Sequence, residues 1–239
     1  MTPAVPPRLG AAFESADTKR AYVRRLFSTI ADRYDLITVL LSYGQDRGWK
    51  RRLVAMAAPS AGTTALDLAC GTGDIAFAMA AEGARVTGLD ITHRMLQLAS
   101  AKSRAASFVA GDMMALPFAS AHFDTVTTGY GLRNVPELAP AIAEIHRVLK
   151  PGGVFLSLDF NRPENPFVRA GYLAYLTVVG SGLGLVLHGD PDTYRYIPAS
   201  LRRYPGASRI TGMLREQGFS AAESIPVLGG LMAIHRATK

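Results

Sequence analysis

Acidic residues beside a glycine turn are the first feature of this sequence that could do chemistry. The stretch Ala65–Asp74 reads A-L-D-L-A-C-G-T-G-D, so that Asp67 lies in an apolar run and Asp74 follows Gly71–Gly73. An apolar run, a glycine turn and a helix-like stretch form the usual ligand site at the carboxyl end of a strand in an open α/β sheet. We therefore predict a binding site centred on these ten residues.

The two carboxylates discriminate between possible ligands. Gly71, Gly73 and Ala76 fit the G-x-G-x-x-A pattern of dinucleotide sites, in which a pyrophosphate lies against a helix N-terminus. An anion about 5 Å from Asp67 or Asp74 would be repelled by roughly 3 kcal/mol at an effective dielectric of about 20. S-adenosylmethionine carries a sulfonium and an ammonium, so acidic walls favour it over a dinucleotide. A turn that binds nothing would leave both carboxylates unexplained.

Two further strand ends extend this site. Asp90 lies 23 residues after Asp67, where a carboxylate accepts hydrogen bonds from ribose hydroxyls; the alternative is a helix N-cap. We expect Asp112 to meet the adenine amino group, with Met113 against the ring, although Asp112 could also be a turn residue. Thr72 can bind the polar tail of the cofactor. The predicted cofactor-binding residues are Asp67, Gly71, Thr72, Gly73, Asp90, Asp112 and Met113.

Alternating strand and helix patterns predict the elements that position these residues. They indicate one α/β domain over residues 16–239, with a doubly wound, mostly parallel, Rossmann-like sheet of seven strands and a terminal antiparallel hairpin. We expect a helical cap over residues 16–60, a lid insertion over about 161–203, and a disordered lead over residues 1–15. Lys150–Gly153, with the sequence K-P-G-G, is predicted to end a helix before the fifth strand.

Composition narrows the class of protein. The 239 residues are 49% hydrophobic and 19% charged, which is typical of an ordered globular chain. A single cysteine, Cys70, excludes an internal disulfide and fits a reducing compartment, and the N-terminus lacks the apolar core of a signal peptide. The net charge of +7 fits a solvated basic face or an anionic membrane surface. We expect no nucleic-acid partner, because no nucleic-acid-binding motif is present.

Several longer motifs resemble those of one enzyme family. They are F-S-T-I-A-D-R-Y-D (Phe27–Asp35), Y-G-L-R-N-V (Tyr130–Val135), R-V-L-K-P-G-G (Arg147–Gly153) and Y-R-Y-I-P-A-S (Tyr194–Ser200), together with the glycine turn. With these the chain resembles the class I S-adenosylmethionine-dependent methyltransferases and, more narrowly, the demethylmenaquinone and ubiquinone-pathway C-methyltransferases. Two positions depart from the family pattern: Thr38 stands where Asn is usual, and Gly129 where Ser is common.

The resemblance implies an activity. It is the transfer of a methyl group from S-adenosyl-L-methionine to a ring carbon of demethylmenaquinol, giving menaquinol, with no metal required. Methylation of the ubiquinone-pathway benzoquinol, or of both rings, is the nearest alternative. A non-catalytic lipid-binding subunit of a quinone-biosynthesis complex is an alternative of another class.

The chemistry points to three catalytic candidates after the fourth strand. A ring carbon becomes nucleophilic as the adjacent phenol loses its proton, so a base or a cation is needed near that oxygen. We expect Arg133 to stabilise the phenolate, Asn134 to orient the ring hydroxyl, and Tyr130 to pack on the ring or the cofactor. A structural salt bridge and a core aromatic are the alternatives for Arg133 and Tyr130. Asp159 and His188 are weaker candidates for proton removal.

The insertion indicates where a lipid tail would go. Ala170–Leu187 has 18 residues without a charge, which reaches the lower limit of a membrane span, but its four glycines weaken a helical span. We predict an apolar lid that receives a prenyl tail and contacts the membrane interface; an ordinary buried cap helix is the alternative. The expected location is the cytoplasm, peripheral on the inner face of the membrane, and a homo-oligomer is compatible with the sequence.

Overall fold

A seven-stranded sheet forms the centre of the protein in the computed structural model, which describes residues 9–239. Its strands are β1 (Thr64–Leu68), β2 (Arg85–Asp90), β3 (Ser107–Ala110), β4 (Phe123–Gly129), β5 (Leu149–Phe160), β6 (Ala221–Val227) and β7 (Met232–Thr238). The strand order is β3-β2-β1-β4-β5-β7-β6, and only the pairings of β7 with β5 and β6 are antiparallel. This arrangement confirms the predicted doubly wound sheet with a terminal hairpin.

Nine α-helices surround this sheet within the described residues. They are α1 (Ala16–Ile30), α2 (Tyr34–Leu41), α3 (Asp46–Ala57), α4 (Asp74–Ala81), α5 (His93–Lys102), α6 (Leu138–Val148), α7 (Pro166–His188), α8 (Asp192–Arg203) and α9 (Ala207–Glu216). The direction of winding reverses at β1, which lies between β2 and β4. In open α/β sheets a ligand crevice forms at such a point, outside the carboxyl ends of the strands.

The helical cap consists of α1, α2 and α3 and begins at a capping box. The Ser15 hydroxyl accepts from the Thr18 amide at 3.1 Å, and the Thr18 hydroxyl accepts from the Ser15 amide at 2.9 Å. Part of the predicted disordered lead, residues 1–8, lies outside the described residues. Ala11–Phe13 instead forms a 3-10 turn, because the Phe13 ring stacks on Tyr196 at 5.8 Å between ring centres.

The K-P-G-G segment differs from its predicted role. Helix α6 ends at Val148 as expected, but Lys150–Gly153 belongs to the first half of β5. Gly152 has a φ of 76° and donates its amide to the Lys239 carbonyl at 2.8 Å. A bulge opposite β4 and a glycine with positive φ therefore let the strand begin earlier than the sequence pattern indicates.

Glycines of α7 set its distance from α8. A Cβ at Gly184 would lie 2.5 Å from the Asp190 carbonyl oxygen, and one at Gly180 would lie 3.2 Å from the Tyr194 carbonyl oxygen. These two glycines are four residues apart and therefore share one face of the helix. The residues predicted to weaken a membrane span thus allow a close helical hairpin, which forms the insertion.

Candidate active site

The turn after β1 and the end of β2 are joined by Asp90. One oxygen of its carboxylate accepts from the Gly71 amide at 2.9 Å, and the other accepts from the Thr92 amide at 2.8 Å. Burial raises the pKa of Asp90, and the backbone donors oppose this shift. The predicted cofactor residue thus also holds the glycine turn, and Gly71 adopts the φ of 55° that this turn requires.

Asp67 presents a carboxylate oxygen that lacks a partner. Its side chain is 1% exposed, and Oδ1 accepts from the Thr127 hydroxyl at 2.9 Å. Oδ2 is buried and has no hydrogen-bond partner among residues 9–239. Burial raises the pKa of Asp67 to about 7. A buried acceptor left unpaired costs about 1–3 kcal/mol, so this oxygen is available for a donor supplied by a ligand.

Two other predicted residues have polar groups that bond to the cap. The Thr72 hydroxyl donates to Asp35 Oδ1 at 2.6 Å, and Asp112 Oδ2 accepts from Arg20 Nε at 2.8 Å. Both residues still line the site. These partners could not be predicted from the sequence, because each lies far away along the chain.

The remaining predicted cofactor residues shape the site by packing. Met113 is buried and lines the crevice. Gly73 has a φ of 92° and precedes α4. A Cβ at Gly131 would lie 2.2 Å from the Thr128 hydroxyl oxygen, so bare backbone is required there. These residues leave a crevice along the ends of β1, β2 and β4 and a small cleft beside Asp67.

A large apolar cavity lies next to the crevice, between the cap, the α7–α8 hairpin and the ends of β4, β5 and β7. Its volume is about 610 Å³, and aliphatic and aromatic side chains form most of its wall. Arg133 is the only charged residue of this wall within the part of the chain that the structure describes. Phe27, Tyr34 and Tyr130 line both the crevice and the cavity. Ligands in the two spaces would therefore meet at these three side chains, which we call the shared wall.

Arg133 forms an ion pair and also lines the apolar cavity. It is buried, its Nε lies 3.5 Å from Asp159 Oδ1, and its Nη1 donates to the Ser200 hydroxyl. The guanidinium carbon also lies 5.3 Å from the centre of the Phe160 ring. Arg133 is thus both half of a buried ion pair and the positive charge of the cavity wall.

Asp159 and His188 are engaged away from the cavity. Asp159 accepts from the Arg133 amide at 3.1 Å and from the Phe160 amide at 2.8 Å, and burial raises its pKa. His188 Nε2 lies 2.9 Å from the Tyr194 hydroxyl, and neither Asp159 nor His188 lines the cavity. The structure therefore places neither of these weaker candidates at the cavity wall.

Asn134 lies on the opposite side from Arg133. Its Nδ2 donates to the Tyr130 carbonyl at 2.7 Å, while its Oδ1 is buried without a partner in the described residues. It lines the crevice and not the apolar cavity. The structure therefore places this residue on the cofactor side, whereas the sequence predicted a contact with the ring hydroxyl.

Tyr130 and Tyr34 form the polar part of the shared wall. Tyr130 has a φ of 63°, and its hydroxyl donates to Asp46 Oδ1 at 2.6 Å. Burial raises the pKa of Tyr34 to about 12. Tyr34 belongs to the Phe27–Asp35 motif, but its place in the wall of the site was not predicted from the sequence. That motif was the one feature of the sequence that could have indicated a role for Tyr34 in the site.

Three ion pairs join the cap to the rest of the domain, one to the segment after β3 and two to α5, and we call them the cap–sheet ion pairs. Arg20 pairs with Asp112 at 2.8 Å, Lys102 pairs with Asp35 at 2.6 Å, and Asp32 pairs with Arg94. All three are partly exposed to solvent. They position α1 and α2 as walls of the crevice.

The crevice and cleft fit S-adenosylmethionine. The free Oδ2 of Asp67 suits an ammonium, Asp90 suits a ribose, and the unpartnered Oδ1 of Asn134 suits a further donor. Met113 supplies an apolar face. The donor set therefore matches the cofactor that the sequence predicted.

Comparison with known proteins gives a family and close relatives. A sequence model of the ubiE/COQ5 methyltransferase family matches residues 15–239. The chain is 40% identical over 218 residues to the ubiquinone/menaquinone biosynthesis C-methyltransferase UbiE of Rubrivivax gelatinosus, covering 91% of this chain and 86% of that protein. It is 39% identical over 228 residues to the demethylmenaquinone methyltransferase of Roseiflexus castenholzii, covering 93% and 95%.

A solved structure supports the fold. The chain superposes with a TM-score of 0.66 on a SAM-dependent methyltransferase, possible histamine N-methyltransferase, from Thermotoga maritima. The match covers 91% of this chain and 99% of that one at 16% sequence identity. This likeness concerns the architecture of the sheet and its helices.

Proposed function

The chain belongs to the ubiE/COQ5 methyltransferase family, and we propose that it transfers the methyl group of S-adenosylmethionine to a ring carbon of demethylmenaquinol, giving menaquinol. One observation carries the assignment. A crevice with an unpaired carboxylate oxygen shares a wall with an apolar cavity of about 610 Å³. A cationic methyl donor and a prenylated ring would therefore meet where the two spaces join.

The cavity wall supplies a charge rather than a base. Methylation replaces a ring C–H by C–CH₃ and releases one proton. Among the described residues, the wall contains no carboxylate and no histidine, and its one charged group is Arg133. A fixed positive charge in an apolar site stabilises a phenolate. Arg133 therefore makes the ring carbon nucleophilic by lowering the pKa of the neighbouring phenol.

The cavity also fits the prenyl tail. Its volume lies in the usual range of about 300–1,000 Å³ for sites that bury small organic ligands. Exposed apolar side chains surround its wall: Phe167 is 86% exposed and Tyr43 is 72% exposed. A tail longer than the cavity can leave between these residues.

The same apolar side chains support membrane association. We infer that the enzyme works in the cytoplasm, at the inner face of the membrane, with α7 against the lipid. Val178 and Val186 of this helix are 72% and 80% exposed. Within the described residues, α7 is the one helix long and apolar enough to cross a bilayer by length and composition. Its contacts with α8 favour a helix that lies at the surface.

Flotation with liposomes of phosphatidylglycerol and phosphatidylethanolamine tests this placement. We expect the wild type to float, and a Phe167→Glu, Val186→Glu variant to stay in the dense fraction. The matched control adds the same two charges to exposed positions of β6, as Ala221→Glu and Ser224→Glu, and should float. Equal behaviour of all three proteins contradicts docking through α7.

Incubation with labelled S-adenosylmethionine tests the activity. We expect label in a reduced demethylnaphthoquinone, because both relatives carry menaquinone or demethylmenaquinone in their names. A reduced benzoquinone precursor is assayed beside it, since the Rubrivivax protein is also named for ubiquinone. Binding of S-adenosylmethionine without methylation of either ring would favour the non-catalytic alternative.

A further inference from the structure

The amino-acid end of S-adenosylmethionine carries two opposite charges, and the cleft beside Asp67 must accommodate both. The ammonium has a partner in Asp67 Oδ2, which is buried and unpaired in the described chain. The carboxylate needs a cation or several donors. Of the described residues that line this cleft, Lys50 alone is basic.

Lys50 reaches the cleft from the cap. It lies on α3, its side chain is 10% exposed, and its Nζ is 2.6 Å from Asp46 Oδ2 and 2.9 Å from Asp74 Oδ2. An ammonium has three donors, and these two contacts leave one of them. Asp46 also accepts from the Tyr130 hydroxyl at 2.6 Å, and Asp74 lies 3.9 Å from Lys102. Both carboxylates thus have a second donor nearby, and Lys50 keeps one N–H donor for a ligand.

We propose that Lys50 holds the carboxylate of S-adenosylmethionine, while Asp67 holds its ammonium. This inference rests on the proposed function. Asp67 and Lys50 give the cleft one negative and one positive group, which matches a zwitterion and not a simple cation. Asp74 also lines the cleft, but its two carboxylate oxygens face Lys50 Nζ and Lys102 Nζ, so these cations offset the repulsion that it would exert on the carboxylate of the ligand. Burial opposes the charge on Lys50, but the carboxylates of Asp46 and Asp74 raise its pKa, so that the cation is retained.

The position of Lys50 links cofactor binding to the shared wall. Lys50 pairs with Asp46, and Asp46 accepts from the Tyr130 hydroxyl. Lys50 Nζ also lies 5.9 Å from the centre of the Tyr130 ring. A carboxylate bound to Lys50 therefore contacts the group of Lys50 and Asp46 that orients the Tyr130 hydroxyl between the crevice and the apolar cavity.

Calorimetry with S-adenosylmethionine and decarboxylated S-adenosylmethionine tests the proposal. The two ligands differ only in the carboxylate. We expect the wild type to bind the decarboxylated ligand about tenfold more weakly or worse, since hydrogen bonds to charged groups are among the stronger ones. Lys50→Met should weaken binding of S-adenosylmethionine by a similar factor and leave the decarboxylated ligand within about twofold.

Lys102→Met is the matched control. It removes an equal charge that also neighbours Asp74, but Lys102 does not line the cleft. We expect this variant to change the affinities of both ligands by the same factor. A loss specific to the carboxylate in Lys102→Met would overturn the assignment to Lys50.

Other outcomes decide the question as well. Equal weakening of both ligands in Lys50→Met would mean that Lys50 only supports the fold. If that variant does not fold, Lys50→Gln replaces it, and the wild type still reports on the carboxylate. A wild type that binds both ligands alike refutes a carboxylate anchor. A wild type that binds neither ligand refutes the proposed function instead.

Discussion

Replacing Arg133 by methionine removes the one charged side chain that the described residues place in the wall of the apolar cavity. Methionine keeps much of the apolar volume but cannot stabilise a phenolate. Removal of one such electrostatic stabiliser typically costs about 2.7–4 kcal/mol of transition-state energy, which is about 10²–10³ in kcat. We expect a loss of this size with a reduced demethylnaphthoquinone. Affinity for S-adenosylmethionine should stay nearly unchanged, because Arg133 lies outside the crevice and cleft.

The ion pair with Asp159 requires a second variant. Arg133→Met leaves this carboxylate, which is 2% exposed, without its cation, and breaking a buried pair in this way costs about 3–5 kcal/mol of stability. The double variant Arg133→Met, Asp159→Asn removes both charges and should recover much of this loss. Activity should not recover, because the phenolate still lacks a cation.

Three measurements separate these effects. Chemical denaturation gives the free energy of unfolding, calorimetry gives the affinity for the methyl donor, and single-turnover kinetics give the rate of methyl transfer. A near-normal rate in a folded Arg133→Met variant would remove Arg133 from the mechanism. Full recovery of the rate in the double variant would show that Arg133 acts only by neutralising Asp159.

Two further predictions follow from individual contacts. Burial raises the pKa of Asp67 to about 7. Calorimetry should therefore show an affinity for S-adenosylmethionine that rises with pH until this carboxylate is ionised, and Asp67→Asn should abolish the rise. An unchanged pH profile in the variant contradicts the assignment of the ammonium to Asp67. Gly184→Ala places a Cβ 2.5 Å from the Asp190 carbonyl oxygen and should lower the free energy of unfolding by about 1–3 kcal/mol. In the same denaturation experiment Gly182→Ala, which meets nothing within 4 Å, should be neutral or stabilising by up to about 1 kcal/mol.

The sequence could predict the strand ends because a repeating pattern determines them. Strands that alternate with helices form a parallel sheet, and a parallel sheet brings the carboxyl ends of its strands to one edge. Asp67, Asp90 and Met113 therefore lie where their positions in the alternation indicate. The pattern of residues around each of them was sufficient to predict its position at a strand end.

Contacts between the cap and the sheet could not be predicted in this way. Thr72 bonds to Asp35 and Asp112 bonds to Arg20, and these partners are 37 and 92 positions apart in sequence. No periodic pattern encodes such a pairing. Lys50 lies on α3 of the cap, so its place beside Asp67 could not be predicted from the sequence either.

The directions of the side chains in the turn after β4 could not be predicted from the sequence either. Arg133 and Asn134 are adjacent, yet they line different spaces. Both residues lie in the 3-10 turn Leu132–Asn134, and with about three residues per turn their side chains leave the backbone about 120° apart. The sequence pattern predicts neither this turn nor the space that each side chain enters.

The cap–sheet ion pairs bear on what happens after each methyl transfer. The spent donor has to leave a crevice that Arg20, Val23 and Phe27 of α1 line on one side, and the Arg20–Asp112 pair joins this helix to the segment after β3. Exposed pairs of this kind contribute about 0.2–1 kcal/mol each, and dissolved salt weakens them. We therefore expect exchange of the used cofactor for a fresh one to become faster as ionic strength rises.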